Sequence, residues 1–142
     1  MSFTPVATIS GASFPILVSQ TTTAAVINRG DLVSRQAAGT WAVATAASPC
    51  VDSKQLGVAL GSVTASGGVI DVCLVHPDVV FLSTGSTLSV ADPWTITTVT
   101  TGAHAVNNTT AAADLTQVKA CFFGPVPSGA TGNALVTIRG RN

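Results

Sequence analysis

Glutamate is missing from this sequence, and charge of either sign is scarce. Six lysines and arginines are balanced by six acidic residues, charged side chains make up 8% of the chain, and the formal net charge is zero. Nucleic-acid binding rests on clustered Lys and Arg that neutralise phosphates. Here Arg29, Arg35, Lys54, Lys119, Arg139 and Arg141 lie scattered, mostly with acids nearby. DNA and RNA are therefore not expected partners. Weak charge also means little self-repulsion and little electrostatic steering, which suits a protein that ends up in a packed assembly.

Long apolar runs are lacking too. Met1 to Asn28 carries no charge, but Pro5, Pro15, Gln20 and the run Thr21-Thr22-Thr23 interrupt it. No window offers the roughly 18 to 20 continuous apolar residues of a spanning helix, so no membrane partner is expected. A secretory leader wants a basic start before a compact apolar block, and Met1-Ser2-Phe3-Thr4-Pro5 supplies none; the expectation is synthesis in the cytoplasm. Cysteine is sparse: Cys50, Cys73 and Cys121 form an odd, widely spaced set. Such a set suits reduced, buried thiols better than a disulfide framework.

What is abundant is alanine, threonine, valine, serine and glycine, a composition that favours strands joined by short turns. The clearest strand is Gly68 to His76, in which Ile70, Val72 and Leu74 fall on one face and Val69, Asp71, Cys73 and Val75 on the other, so that both faces are expected to be covered. Before it, Leu56, Val58 and Leu60 alternate with Gly57, Ala59 and Gly61, and the linking Ser62 to Gly68 holds glycines able to take φ > 0; together they predict a hairpin or close strand pair. Upstream, Ala24 to Ile27, Leu32 to Ser34 and Gly39 to Ala44 predict strands, with a turn at Asn28-Arg29-Gly30-Asp31. After a turn at His76-Pro77-Asp78, strands are expected at Val79 to Leu82, Thr87 to Val90, Trp94 to Thr101 and Ala134 to Arg139, with a short helical turn near Ala111 to Leu115 followed by a strand. Residues 1–23, rich in proline and threonine, are expected to form an extended arm anchored by Phe3, Phe14, Ile16 and Leu17, with 24–142 a single β-rich domain.

Side chains suited to chemistry are few. A hydrolase needs a nucleophile with a base within hydrogen-bond reach, yet the histidines are only His76, before a proline, and His104, in a polar loop; no G-x-S-x-G appears. Cys73-Leu74-Val75-His76 has metal-like spacing, but residues three apart on a strand point to opposite faces, which argues against zinc. Arg29-Gly30-Asp31 spells an integrin-recognition tripeptide and is equally what a tight turn wants. Asn107-Asn108-Thr109-Thr110 contains overlapping glycosylation acceptors, read more simply as a polar loop. No phosphate-cradling glycine loop precedes a helix, so no nucleotide cofactor has a seat. No catalytic residue, metal, cofactor or small-molecule substrate is expected.

The segment from Val26 to Leu82 resembles the small β-barrel or β-tulip modules of tailed-bacteriophage capsid decoration (cement) proteins. The residues that carry the resemblance are Asn28-Arg29-Gly30-Asp31-Leu32-Val33, then Leu56-Gly57-Val58-Ala59-Leu60, then Gly67-Gly68-Val69-Ile70-Asp71-Val72, followed by the apolar run Val79-Val80-Phe81. The resemblance implies an all-β barrel or sandwich that binds the outer surface of an icosahedral phage head, commonly as a homotrimer, and clamps neighbouring capsomers. Its partners would be itself and the major capsid protein, its location the virion, and Phe3, Phe14, Ile16 and Leu17 the candidates for reaching a capsid subunit or a neighbouring protomer. The rival readings are a fibre, baseplate or other receptor-facing virion module, and a small enzyme or metal protein built on the two histidines and three cysteines.

Overall fold

Alternating apolar residues do form strands throughout. The computed structural model describes residues 2–23, 26–44, 56–65, 67–86, 96–100, 105–107, 119–122 and 132–139. In chain order the strands are β1 (Phe3–Thr8), β2 (Ile16–Thr21), β3 (Leu32–Arg35), β4 (Trp41–Val43), β5 (Leu56–Ala59), β6 (Val69–Leu74), β7 (Val79–Ser86), β8 (Ile96–Thr100), β9 (Ala105–Asn107), β10 (Lys119–Phe122) and β11 (Gly132–Arg139). No helix occurs among the described residues. The protein is all-β, built from a six-stranded antiparallel sheet in the order β1-β7-β11-β10-β8-β9 and a five-stranded antiparallel sheet in the order β2-β6-β5-β3-β4. The expected helical turn at Ala111 to Leu115, the strand at Thr87 to Val90, and Cys50, Trp94 and His104 lie outside the described residues.

The expected hairpin is present: β5 pairs with β6, setting Gly57 opposite Leu74, Val58 opposite Cys73 and Ala59 opposite Val72. Its two faces serve two cores. Leu56, Val58 and Cys73 face the larger sheet and join Phe3, Leu32, Phe81, Val136 and Ile138 in one buried cluster. Ile70, Val72 and Ala59 face the other way and join Ile27, Val33 and Trp41 in a second. The covering of both faces of β6 thus follows its sequence near its C-terminal end, whereas Val69 and Asp71 at the other end remain exposed.

The second cluster has an inside because the smaller sheet rolls up. Thr22, just past β2, makes a parallel bridge to Trp41 on β4, the opposite edge strand. Thr23 N–H donates to the Trp41 carbonyl at 3.0 Å, while Thr22 exchanges backbone hydrogen bonds with Gly67 and Gly68 at 2.8 and 2.9 Å. The Trp41 indole fills the roll, fully buried, and its N–H donates to Gln20 Oε1 at 3.2 Å, which meets the need of a buried indole for a partner. Gly57 lies beneath it: a Cβ there would overlap Val72 Cγ1, approach the Cys73 carbonyl to 3.1 Å and meet Trp41 Cζ3 at 3.5 Å. Of the expected strand Ala24 to Ile27, Ile27 is described as a single bridge to Val63.

Residues 1–23 are placed differently from an arm. β1 forms the edge of the larger sheet beside β7 and β2 the edge of the smaller sheet beside β6. The prolines allow this: Pro5 pairs with Phe81 on an edge strand, where a missing N–H is tolerated, and Pro15 precedes β2 and offers its carbonyl to Leu74 N–H at 2.9 Å. The turn at Asn28 to Asp31 forms as expected, with Asp31 N–H donating to the Asn28 carbonyl at 3.0 Å and Gly30 at φ +91.

Packing at Gly57 yields the first prediction. Gly57→Ala drives a methyl into Val72 and the backbone of β6, and is expected to cost about 1–3 kcal/mol. Trp41→Ala empties the roll and is expected to cost about 3–5 kcal/mol. Both appear as lower urea midpoints with unchanged m-values.

Candidate functional site

Of the four residues expected to anchor on another molecule, three turn inward. Phe3 is 1% exposed and belongs to the core between the sheets, with Phe14 packed partly buried against the same cluster. Leu17 packs against the interior of the rolled sheet. Only Ile16, 44% exposed, presents its side chain outward. The reason is proximity: an uncharged, strand-forming segment finds the unfilled edges of its own sheets before any other molecule's.

Two of the outward apolar side chains, Val6 and Val18, stand at bulges, while others such as Ile16 and Val69 lie in regular register. On β1 the pairing steps from Pro5↔Phe81 to Ala7↔Val80, so Val6 is the extra residue. On β2 it steps from Leu17↔Val72 to Gln20↔Ile70, so two residues span what one spans on β6. Ser19 takes φ 56 there and its N–H donates to Asp71 Oδ1 at 2.9 Å, while Val18 is left 64% exposed. Val18 is thus exposed along the β2 edge of the smaller sheet, with Ile16 toward one end of the β2–β6 pair and Val69 at the other, and Asp71 between them. The sequence carries a faint signal of it: Val18-Ser19 breaks the alternation that Leu17 and Gln20 need to share an inner face. Bulges and an edge proline also blunt main-chain pairing with another strand, so contact here is made by side chains.

The sites with chemical promise resolve into structure. Asp31 is buried, and its Oδ2 accepts the Asn28 N–H at 2.8 Å, so the Arg-Gly-Asp tripeptide turns its carboxylate into its own loop. His76 Nδ1 accepts the Asp78 N–H at 3.1 Å within the β6–β7 turn. Cys73 is a free, buried thiol, pushed up to about 11 by burial. Among the described residues no three His, Cys, Asp or Glu side chains gather to hold a metal ion, and no helix is long and apolar enough to cross a membrane, which says nothing of strands.

One surface cluster carries a perturbed titration. Asp78 accepts hydrogen bonds from Ser10 N–H at 2.8 Å and from the Ser10 hydroxyl, clasping the end of β1 to the turn before β7. These bonds, the hydroxyl's first, hold its carboxyl below the ordinary 3.8, with His76 adding a smaller attraction. A group lowered on folding stabilises above its unfolded value and loses that contribution as pH falls through the folded one.

Two outcomes follow. The difference in thermal midpoint between the native chain and Asp78→Asn is expected to be constant above about pH 4 and to shrink below it, as read by thermal scans at stepped pH. Cys73 is expected to resist alkylation at neutral pH in the folded protein and to react once denatured, as read by peptide mass mapping. Against family models, curated proteins and solved structures alike, the chain finds no match.

Proposed function

We propose that the protein is a structural virion component of the decoration type, which binds the outer surface of an icosahedral phage head and stabilises contacts between capsomers without catalysis or cofactor. The observation that carries the reading is the placement of the three resembling motifs. Leu32-Val33 begins β3, Leu56 to Ala59 is β5 and Val69 to Val72 lies in β6, and these strands are neighbours in one sheet. Motifs dispersed between Asn28 and Val72 in the sequence thus make three neighbouring strands of the rolled five-stranded sheet. A net charge of zero and exposed apolar side chains at Ile16, Val18 and Val69 along the β2–β6 side of the sheet suit repeated contact with a larger shell. Joined as a homotrimer, several such contacts act together through effective concentration, so that each can be weak.

Copy number on the intact particle tests this. Decoration predicts copies spread over the head in proportion to the capsid subunits, measured by quantitative gel analysis and particle imaging. A few copies confined to the tail would overturn it in favour of a fibre or baseplate module. Val18→Asp with Val69→Asp is expected to lower head occupancy at least tenfold while leaving stability within about 0.5 kcal/mol per site, because both side chains are exposed.

A further inference from the structure

Strand β1 is tightly seated and loosely tethered. Phe3 is buried between the sheets, and its N–H donates to the Gly30 carbonyl at 2.9 Å. At one end Ser2 N–H donates to Thr84 Oγ1 at 3.1 Å, across 82 positions of sequence; at the other, Ser10 is clasped by Asp78, 68 positions away. Every element that holds β1 is therefore remote in the chain. As the edge of its sheet, β1 has β7 on one side and, among the described residues, no paired strand on the other, where only the Phe3 N–H to Gly30 carbonyl bond holds its backbone.

The tether that carries the chain on to β2 is held differently. Gly11 takes φ +77 with open space around it. The bend is kept by Gly11 N–H to the Thr8 carbonyl at 3.3 Å, the Thr8 hydroxyl to the Ala12 carbonyl at 2.6 Å and Ala12 N–H to Ser10 Oγ at 3.3 Å. The two side-chain bonds are exposed to solvent, the kind that opens at low cost.

We propose that β1 is an exchangeable strand: in an assembly of copies, residues 2–10 of one chain occupy the β7 edge of the next, with residues 11–13 as the hinge and Phe14 and Pro15 staying anchored at home. The occupant is a second copy because the seat is cut to this sequence, needing Phe at the core position, Ser2 at Thr84 and Ser10 at Asp78. Exchange reproduces all of those contacts, so the balance between own and exchanged strand reduces to the hinge bend and the effective concentration of neighbours. No charge opposes the approach, since residues 1–28 carry none. The inference concerns how copies join and stands whichever particle they serve.

The full chain provides the test. Ser2→Cys and Thr84→Cys are prepared as separate variants, one isotopically labelled, then mixed at high concentration and oxidised. The two side-chain oxygens lie 3.1 Å apart, and neither chain of the mixture holds both substitutions, so a disulfide between positions 2 and 84 can form only across chains. Peptide mass spectrometry is expected to find that link with one labelled and one unlabelled half. Adding Gly11→Val to both chains is expected to raise its yield about tenfold, since valine disfavours the left-handed bend and accepts the extended hinge. Absence of the link in the mixture, while the double variant closes the same disulfide within one chain, overturns the proposal. Should cysteine at either position prevent folding, the unsubstituted chain decides by light scattering. A multimer formed at high concentration that persists for hours after dilution supports exchange; instant dissociation, or a monomer at every concentration, overturns it.

Discussion

In the hollow of the smaller sheet a tryptophan lies over a glycine. Strand β5 has neighbours on both sides in its sheet and buried residues on both faces, so a Cβ at Gly57 would stand where Val72 already is and crowd the Cys73 carbonyl, with the Trp41 ring in contact above it. With that position bare, the sheet curves tightly enough for Trp41 to fill its hollow and for Thr22 to bridge the two edges. The closed seam in turn fixes β2, and the bond from Trp41 to Gln20 fixes which way β2 faces. Because the curved side is self-sufficient, the other side of β3, β5 and β6 is free to serve as the floor for the larger sheet. Burial on two faces gives each of Val33, Val58 and Val72 roughly the full 1.5–3 kcal/mol of a buried aliphatic side chain.

A protein this apolar and this short of charge has to control its own edges. Lysine, the usual guard of an exposed strand, is almost absent. Its place is taken by backbone devices: the bulge at Val6 beside Pro5 on β1, and the bulge at Val18 and Ser19 on β2, the latter pinned by Asp71. A bulge twists the strand and breaks the even spacing of N–H and C=O groups that another strand would need. The same device exposes the extra side chain. Protection against indiscriminate strand pairing and presentation of an apolar contact thus come from one structural feature.

Much of this was legible in the sequence, and the limits are instructive. The pairing of Leu56 to Ala59 with Val69 to Leu74 was readable because alternation and glycine turns are local signals, and the two-faced burial of β6 followed from apolar residues at both parities. The placement of residues 1–23 was not readable in the same way. Phe3, Phe14, Ile16 and Leu17 are alike as sequence, yet Phe3 and Leu17 enter different cores and Ile16 stays outside. That sorting depends on which sheet edge each strand meets and on where a bulge shifts parity, and both are set by partners more than fifty positions away. The turn at Asn28 to Asp31 shows the reverse case, where a motif suggestive of recognition is accounted for by its own local hydrogen bonds.

The division of the first twenty-odd residues between two sheets bears on function in a way that a free arm would not. β1 and β2 each complete one sheet, and the short connection between them is clasped where Asp78 accepts from Ser10. In a freestanding molecule the joint holds both strands at home. Among crowded copies, where neighbours raise the effective concentration of the same strand, the joint is the weakest element in the path, and it is there that the choice between a closed protomer and a linked assembly is made.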